Sequence, residues 1–316
     1  MSNKKIIVIF GATGSQGGGL AKAMLDDPRS EFEVRAVTRD PQSEKSRELA
    51  QKGAEIVKAD VDDINSIKKA LEGAYGAYFV TFYWEHFSPE KELGHIKNMA
   101  EAASETGIRH AIWSTLEDSR KWIPLDDDRM PTLQDKYKVP HFDVKGEGDQ
   151  FFTNLKVPTT FLRTTFYWDN FIYFGSGPQK GPDGNLYLTF PIDDKKLCGI
   201  AAEDIGKCAY GIFKQGNALI GKTIGIAGEA LTGEEMAAAM SKILGKEIHF
   251  NNVSPATFRS FNFPGADDLG NMFQFYRDFD DWFIKSRDLA FAKQLNPDLL
   301  SFEDWLKKYG KLIPLD

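Results

Sequence analysis

Cysteine is scarce in this chain, and the two that occur, Cys198 and Cys208, form no C-x-x-C pair. The histidines show no metal-ligand spacing, so the sequence offers neither a disulfide framework nor a zinc centre. Positive charge is also in deficit. Lys and Arg number 39 against 46 Asp and Glu, a net charge of -7, which argues against a protein that holds nucleic acid by its phosphates. No run of about 18 apolar residues exists to cross a membrane, and the opening MSNKKIIVIF holds an apolar run too short for a signal segment. A soluble, cytoplasmic protein with no membrane or nucleic-acid partner is expected. Repeats, low-complexity tracts and flexible linkers are likewise missing.

What is present fits a globular chain: 42% apolar and 27% charged residues over 316 positions. That length suggests one large domain with a smaller appendage. The 24 Phe, 6 Trp and 10 Tyr are enough to fill a core and to line a pocket.

Lys5 to Phe10 is an unbroken apolar run that reads as a strand buried on both faces, and Gln16 to Leu25 has helical spacing. Strands at Glu33–Thr38, Ala54–Val57, Ala77–Thr81, His110–Ser114 and Thr159–Arg163 then alternate with helices at Glu44–Gln51, Ile64–Leu71, Pro89–Thr106 and His141–Asn154. Such alternation predicts an α/β fold with a doubly wound parallel sheet over residues 1–163. Residues 164–316 are expected to form mainly a smaller α/β lobe that closes a cleft, with later segments able to return to the first lobe. Leu116 to Pro140 is polar and aperiodic and reads as a long loop.

Between the first strand and the first helix stands Gly11-Ala12-Thr13-Gly14-Ser15-Gln16-Gly17-Gly18, a G-x-x-G-x-x-G turn in the context a dinucleotide fingerprint requires. Gly11 permits the sharp turn, Gly14 lets backbone approach a pyrophosphate, and Gly17 lets the helix lie close to the sheet. The second strand ends in Thr38-Arg39-Asp40, about 20 residues past the last glycine, where NAD-preferring folds place an acid for the ribose. Arg39, aided by Lys45 or Ser43, suits the 2′-phosphate of NADP. In the alternative, Asp40 is the ribose acid and NAD the ligand. Ser114 and Thr115 end the fifth strand and face the ligand crevice. Tyr83, Trp84, Tyr167 and Trp168 are candidates to line it. Asp126 to Asp128 reads as a solvated turn, Lys97 as a surface residue, and no metal site is assigned.

Taken together, GATGSQGG, TRDP after the second strand, Ala59-Asp60-Val61-Asp62-Asp63, Val80-Thr81-Phe82-Tyr83-Trp84, His141-Phe142-Asp143-Val144-Lys145 and Phe263-Pro264-Gly265-Ala266 resemble the NmrA-like family. These are atypical relatives of short-chain dehydrogenases, and the redox-sensor branch is the nearest in appearance. The resemblance implies a Rossmann lobe, a smaller lobe and an NADP(H) ligand. It implies that Gly11, Thr13, Gly14, Gln16 and Gly17, with Ser15 between them, hold the pyrophosphate and that Arg39 holds the 2′-phosphate. Asp60 or Val61 then flank the adenine, Phe79, Val80 and Thr81 the inner ribose, and Lys145 the nicotinamide ribose.

A short-chain dehydrogenase uses Tyr-x-x-x-Lys for proton transfer, whereas the matching place here reads His141-x-x-x-Lys145. The phenol is missing, although a histidine can act as a general acid near neutral pH. The sequence therefore reads first as an NADP(H)-binding redox sensor with little or no dehydrogenase activity, allowing a regulatory protein partner and a homodimer. Its alternative is an NADPH-dependent reductase of a quinone or other electron-poor small molecule.

Overall fold

Ile7, Val8 and Ile9 in strand β1 (Lys5–Ile9) are fully buried, Ile7 and Ile9 in the apolar layer on one face of a sheet and Val8 in the layer on the other. A central parallel strand requires this. The computed structural model describes residues 4–315. After β1 the β-α unit repeats through α1 (Ser15–Asp26), β2 (Phe32–Thr38), α2 (Glu44–Gln51), β3 (Glu55–Lys58), α3 (Ile64–Leu71) and β4 (Gly76–Phe79). It continues through α4 (Pro89–Thr106), β5 (His110–Thr115), α5 (Pro140–Asn154) and β6 (Thr159–Arg163). The helices begin where the sequence supplies an acceptor: Ser43, Asp63 and Ser88 cap α2, α3 and α4 with side-chain oxygens.

The six strands lie in the order β3-β2-β1-β4-β5-β6, and a strand from far down the chain, Thr223–Gly225, adds to β6. All seven run parallel. The strand order reverses between β1 and β4, so the crevice at their C-terminal ends is the place where such sheets bind ligands. The helix Ala202–Gln215 packs on α1, so the first lobe takes both a strand and a helix from beyond residue 163.

The rest forms a smaller lobe of two three-stranded sheets and several helices over a core rich in Phe and Trp. Arg287 joins the lobes: its guanidinium donates to both oxygens of Glu117 (2.7 and 3.0 Å) and to the Thr164 carbonyl, with both charged side chains fully buried. The segment between β5 and α5 contains one short helical turn, Ser119–Lys121, and is tied down from inside. Buried Lys138 donates to the Asp127 and Met130 carbonyls, and Asp143 accepts the N–H groups of Ser119, Lys138 and Val139. Cys198 and Cys208 are unpaired and buried, and burial pushes the Cys198 thiol up to about 11. Among the described residues no helix is long and apolar enough to cross a membrane.

Candidate functional site

The glycine turn sits at the C-terminal end of β1. Gly11 is left-handed (φ +65°), and a Cβ on Gly17 would strike the Gly11 carbonyl oxygen, so the chain here accepts only glycine. Gly14 is the N-cap of α1 and offers no side-chain acceptor, which leaves the first N–H groups of the helix for an anion. Gly11, Gly14 and Ser15 are exposed and Thr13 half-buried. The Gln16 side chain turns inward instead. Its Oε1 accepts from the Tyr78 hydroxyl (2.5 Å) and Ser114 Oγ (2.8 Å), and its Nε2 donates to the Tyr167 hydroxyl (2.7 Å). Three residues read separately from the sequence, Gln16, Ser114 and Tyr167, thus meet in one network, with Gln16 offering an anion its backbone only. Burial pushes the Tyr167 phenol up to about 12.

Just after β2, Arg39 is exposed and donates to Glu85 Oε1 at 2.5 Å. Lys45 is exposed nearby in the first turn of α2, whereas Ser43 is occupied as its cap. Asp40 Oδ1 accepts the Gln42 N–H within its own loop. Asp60 is exposed and Val61 half-buried after β3. Phe79 departs from its expected place: its ring packs at a tilt against Phe10 and Phe152 in the core, so Val80 and Thr81 are the residues of that stretch that face the crevice.

Lys145 is almost buried, and its ammonium donates to Glu92 Oε1 (2.7 Å) and Thr81 Oγ1 (2.5 Å). Glu92 is fully buried. Burial by itself would raise its carboxyl, but Lys145, with His86 and Thr81, holds it down at about 2. His86, Glu92 and His95 also bring their donor atoms within 4.8 Å of one another, a grouping that spacing did not reveal. His86 Nδ1 accepts the Ser88 N–H, which keeps its proton on Nε2, 3.3 Å from Glu92 Oε2 in a bent approach. His95 bonds Asp62 at 2.8 Å. A metal ion needs the His86 Nε2 without its proton, and here His86 Nε2 and Glu92 Oε2 are both buried without a hydrogen-bond partner.

His141, at the start of α5, is held from the other lobe. Asp268, in the helix Ala266–Asp278, accepts from its backbone N–H (3.2 Å) and bonds its Nδ1 at 2.7 Å, both residues being buried. Nε2 is left as the nitrogen available to the crevice. The Trp84 ring centroid lies 4.7 Å from the imidazole. Thr115 is less available than its position suggested, because its hydroxyl donates to Asp149 at 2.6 Å on the protein side. Burial, against the Thr115 bond and the Trp113 N–H, lifts the Asp149 carboxyl to about 7.

Between the lobes lies a cavity of about 330 Å³ that reaches from Gln16, Ser114 and Lys145 to Tyr83, Trp84, Phe273 and Tyr276. Phe82 and Phe174, 51% and 57% exposed, stand at its mouth. Trp168 is not part of it and packs instead against Phe302 and Trp305 in the smaller core, where Gly199 opposite leaves room for the indole. Asp268 and Glu92 were missed from the sequence, since no local signal marks a carboxylate that will meet a partner across the fold.

A reversal in strand order, an uncapped glycine turn facing it and a second lobe over the crevice define a Rossmann-type, NAD(P)-binding fold. The chain belongs to the NmrA-like family, whose model matches residues 3–306. An NmrA-like family domain-containing oxidoreductase, hkm9 of Aspergillus hancockii, is 30% identical over 286 residues, covering 85% of this chain and 82% of its own. Crystalline NmrA, a negative transcriptional regulator, shares the fold with a TM-score of 0.79 at 22% identity, over 97% of this chain and 95% of its own. Its crystal structures include complexes with NAD and with NADP. The triphenylmethane reductase of Citrobacter sp., complexed with NADP(H), superposes with a TM-score of 0.74 at 19% identity, over 96% and 99% of the two chains. At these identities the solved structures speak for the fold alone.

Proposed function

We propose that this protein is an NADP(H)-dependent reductase of bulky, apolar, electron-poor small molecules. The observation that carries the reading is the aromatic cavity of about 330 Å³ opening beside Lys145 and Gln16, at the strand ends where sheets of this kind bind their ligands. The name oxidoreductase given to hkm9 and the NADP(H) complex of the triphenylmethane reductase support the same direction.

The residues present suit the cofactor. Backbone at Gly11, Thr13, Gly14, Ser15 and Gly17 receives the pyrophosphate, Arg39 and Lys45 the 2′-phosphate, and Lys145 a ribose hydroxyl. NADPH supplies a hydride, and the chain's part is to orient it and exclude water. A thermal-shift titration with NADP+, NADPH, NAD+ and NADH tests the cofactor, and NADPH oxidation across a panel of quinones, enals and iminium ions tests the reaction. Shifts with the NADP pair and turnover of one class are expected. No shift with any of the four dinucleotides removes the reading.

One observation favours a second reading, a redox sensor that acts through a protein partner. Arg39 is bound to Glu85, next to Trp84 in the cavity wall, so a 2′-phosphate that takes Arg39 frees a segment of the crevice. Partner capture that depends on NADPH, with no turnover of any substrate, would place this reading first.

A further inference from the structure

We propose that His141 is the proton donor of this cleft and Asp268 its positioning residue, so that the acid which completes the reduction of a carbonyl group is assembled from both lobes. The proposal rests on the reductase reading above and names the residue that supplies its proton.

The start of α5 brings His141 to the cavity, four residues before Lys145 and so on the same helix face. Asp268 stands in the first turn of the helix Ala266–Asp278, and the chain before that helix is shaped to bring it there. Gly265, the N-cap, is left-handed (φ +82°), and a Cβ on it would lie 2.8 Å from the Trp84 ring. Only glycine lets the helix begin this close to Trp84. Asp268 Oδ2 then accepts the His141 backbone N–H at 3.2 Å, and Oδ1 meets Nδ1 at 2.7 Å. With both carboxylate oxygens accepting, the proton on Nδ1 is fixed and Nε2 is the free end of the ring. Among the described residues no group bonds Nε2, which is left to the cavity that His141 lines. The Trp84 and Phe142 ring centroids, each 4.7 Å from the imidazole, limit its rotation.

A ketone that takes a hydride gathers negative charge on its oxygen, and a group beside that oxygen must supply a proton. The other donors of the wall are held. Lys145 is bound to Glu92 and Thr81, Ser114 Oγ donates to Gln16, and Thr165 Oγ1 donates to the Cys198 carbonyl. Burial pushes the phenols of Tyr83, Tyr167 and Tyr276 above their ordinary value, so each keeps its proton. An imidazolium at His141 has a transferable proton on Nε2 and a fixed carboxylate behind Nδ1, the relation that orients a catalytic histidine in the serine hydrolases. The bonds balance. The substrate carbon takes the hydride of NADPH with its electron pair, the C=O π pair moves to oxygen, and the Nε2 proton joins that oxygen. His141 is left neutral, its Nδ1 proton still facing Asp268, and solvent at the cavity mouth returns a proton to Nε2.

The test uses 4-nitrophenol as a mimic of the oxyanion and N-benzylisatin, a neutral electron-poor ketone, as the substrate. Nitrophenol is bound to the cofactor-free protein at about pH 6, where a histidine is largely charged, and its absorbance reports how much is phenolate. The parent should raise the phenolate-to-phenol ratio of the bound probe about tenfold over that in solution, as a charge-assisted hydrogen bond supplies. His141→Gln and Asp268→Asn should each remove most of that gain while changing the probe's affinity less than about threefold. Turnover is read by NADPH fluorescence, and melting curves establish that each variant folds. His141→Gln should lower kcat for the ketone about 100-fold or more with little change in KM, and free imidazole should restore part of the rate to His141→Ala. A folded His141→Gln variant that reduces the ketone at the parent rate overturns the proposal and keeps the reductase reading. Nitrophenol bound with its solution phenolate ratio overturns it too. Ionisation of nitrophenol that depends on His141, with no turnover of any acceptor by the parent, keeps the His141–Asp268 donor and removes the reductase reading.

Discussion

The ammonium of Lys145 and the carboxylate of Glu92, 53 positions apart, meet at 2.7 Å with the Glu92 side chain wholly out of water. This contact fastens α4 to α5 directly under the cleft.

Removing one partner leaves the other charge buried and unmatched. Lys145→Met is expected to destabilise the protein by about 3–5 kcal/mol, and Lys145→Met with Glu92→Gln to recover most of that loss. Denaturant unfolding of the two single variants and the double variant measures the coupling. Because the Glu92 carboxyl is held at about 2, below its ordinary 4.5, its contribution is complete above pH 4.5 and disappears as pH falls through 2. Glu92→Gln should therefore flatten the acid side of the stability profile.

Asp149 titrates in the opposite sense. Its folded-state carboxyl sits near 7 and its unfolded one near 3.8, so the folded protein holds the proton more tightly and loses stability as pH rises from about 4 to 7. Asp149→Asn keeps an acceptor for Thr115 and Trp113. The variant should melt about 2–4 °C above the parent at pH 8 and at the same temperature at pH 4. Melting curves at a series of pH values decide this, and a constant difference across the series refutes it.

Arg39→Ala should weaken NADPH by about tenfold or more and leave NADH unchanged, as expected for loss of a charge-assisted phosphate contact. Calorimetric titration of each dinucleotide checks it. An unchanged NADPH affinity would show that Arg39 does not hold the 2′-phosphate.

Gly17→Ala places a methyl group against the Gly11 carbonyl and should displace the turn from α1. The expected cost is about 1–3 kcal/mol of stability, together with loss of the NADPH-induced thermal shift. A variant that melts lower yet still shifts fully with NADPH would show that the turn tolerates the displacement.

Features set by neighbours in sequence were legible before the structure. The run Lys5 to Phe10, the glycines after it and the Ser88-Pro89 start of α4 each carry their own physics, and the strands and helices follow them closely. Features set by distant pairs were not. His141 and Asp268 are 127 positions apart, and Gln16 gathers Tyr78, Ser114 and Tyr167 from three separate strands, relations that no spacing rule encodes. Trp84 and Trp168 looked alike as cleft candidates. Only packing sends the first to the cavity and the second to the core.

The strand Thr223–Gly225 closes the open edge of β6, and the helix Ala202–Gln215 covers the apolar side of α1. On the ribosome neither is available until more than two hundred residues have been made. Through that interval the nascent first lobe shows a bare strand edge and a greasy flank, both of which invite pairing with another chain. A polypeptide cut after β6 inherits the same exposure permanently, so its solubility in a cell depends on chaperones in a way the full chain's does not.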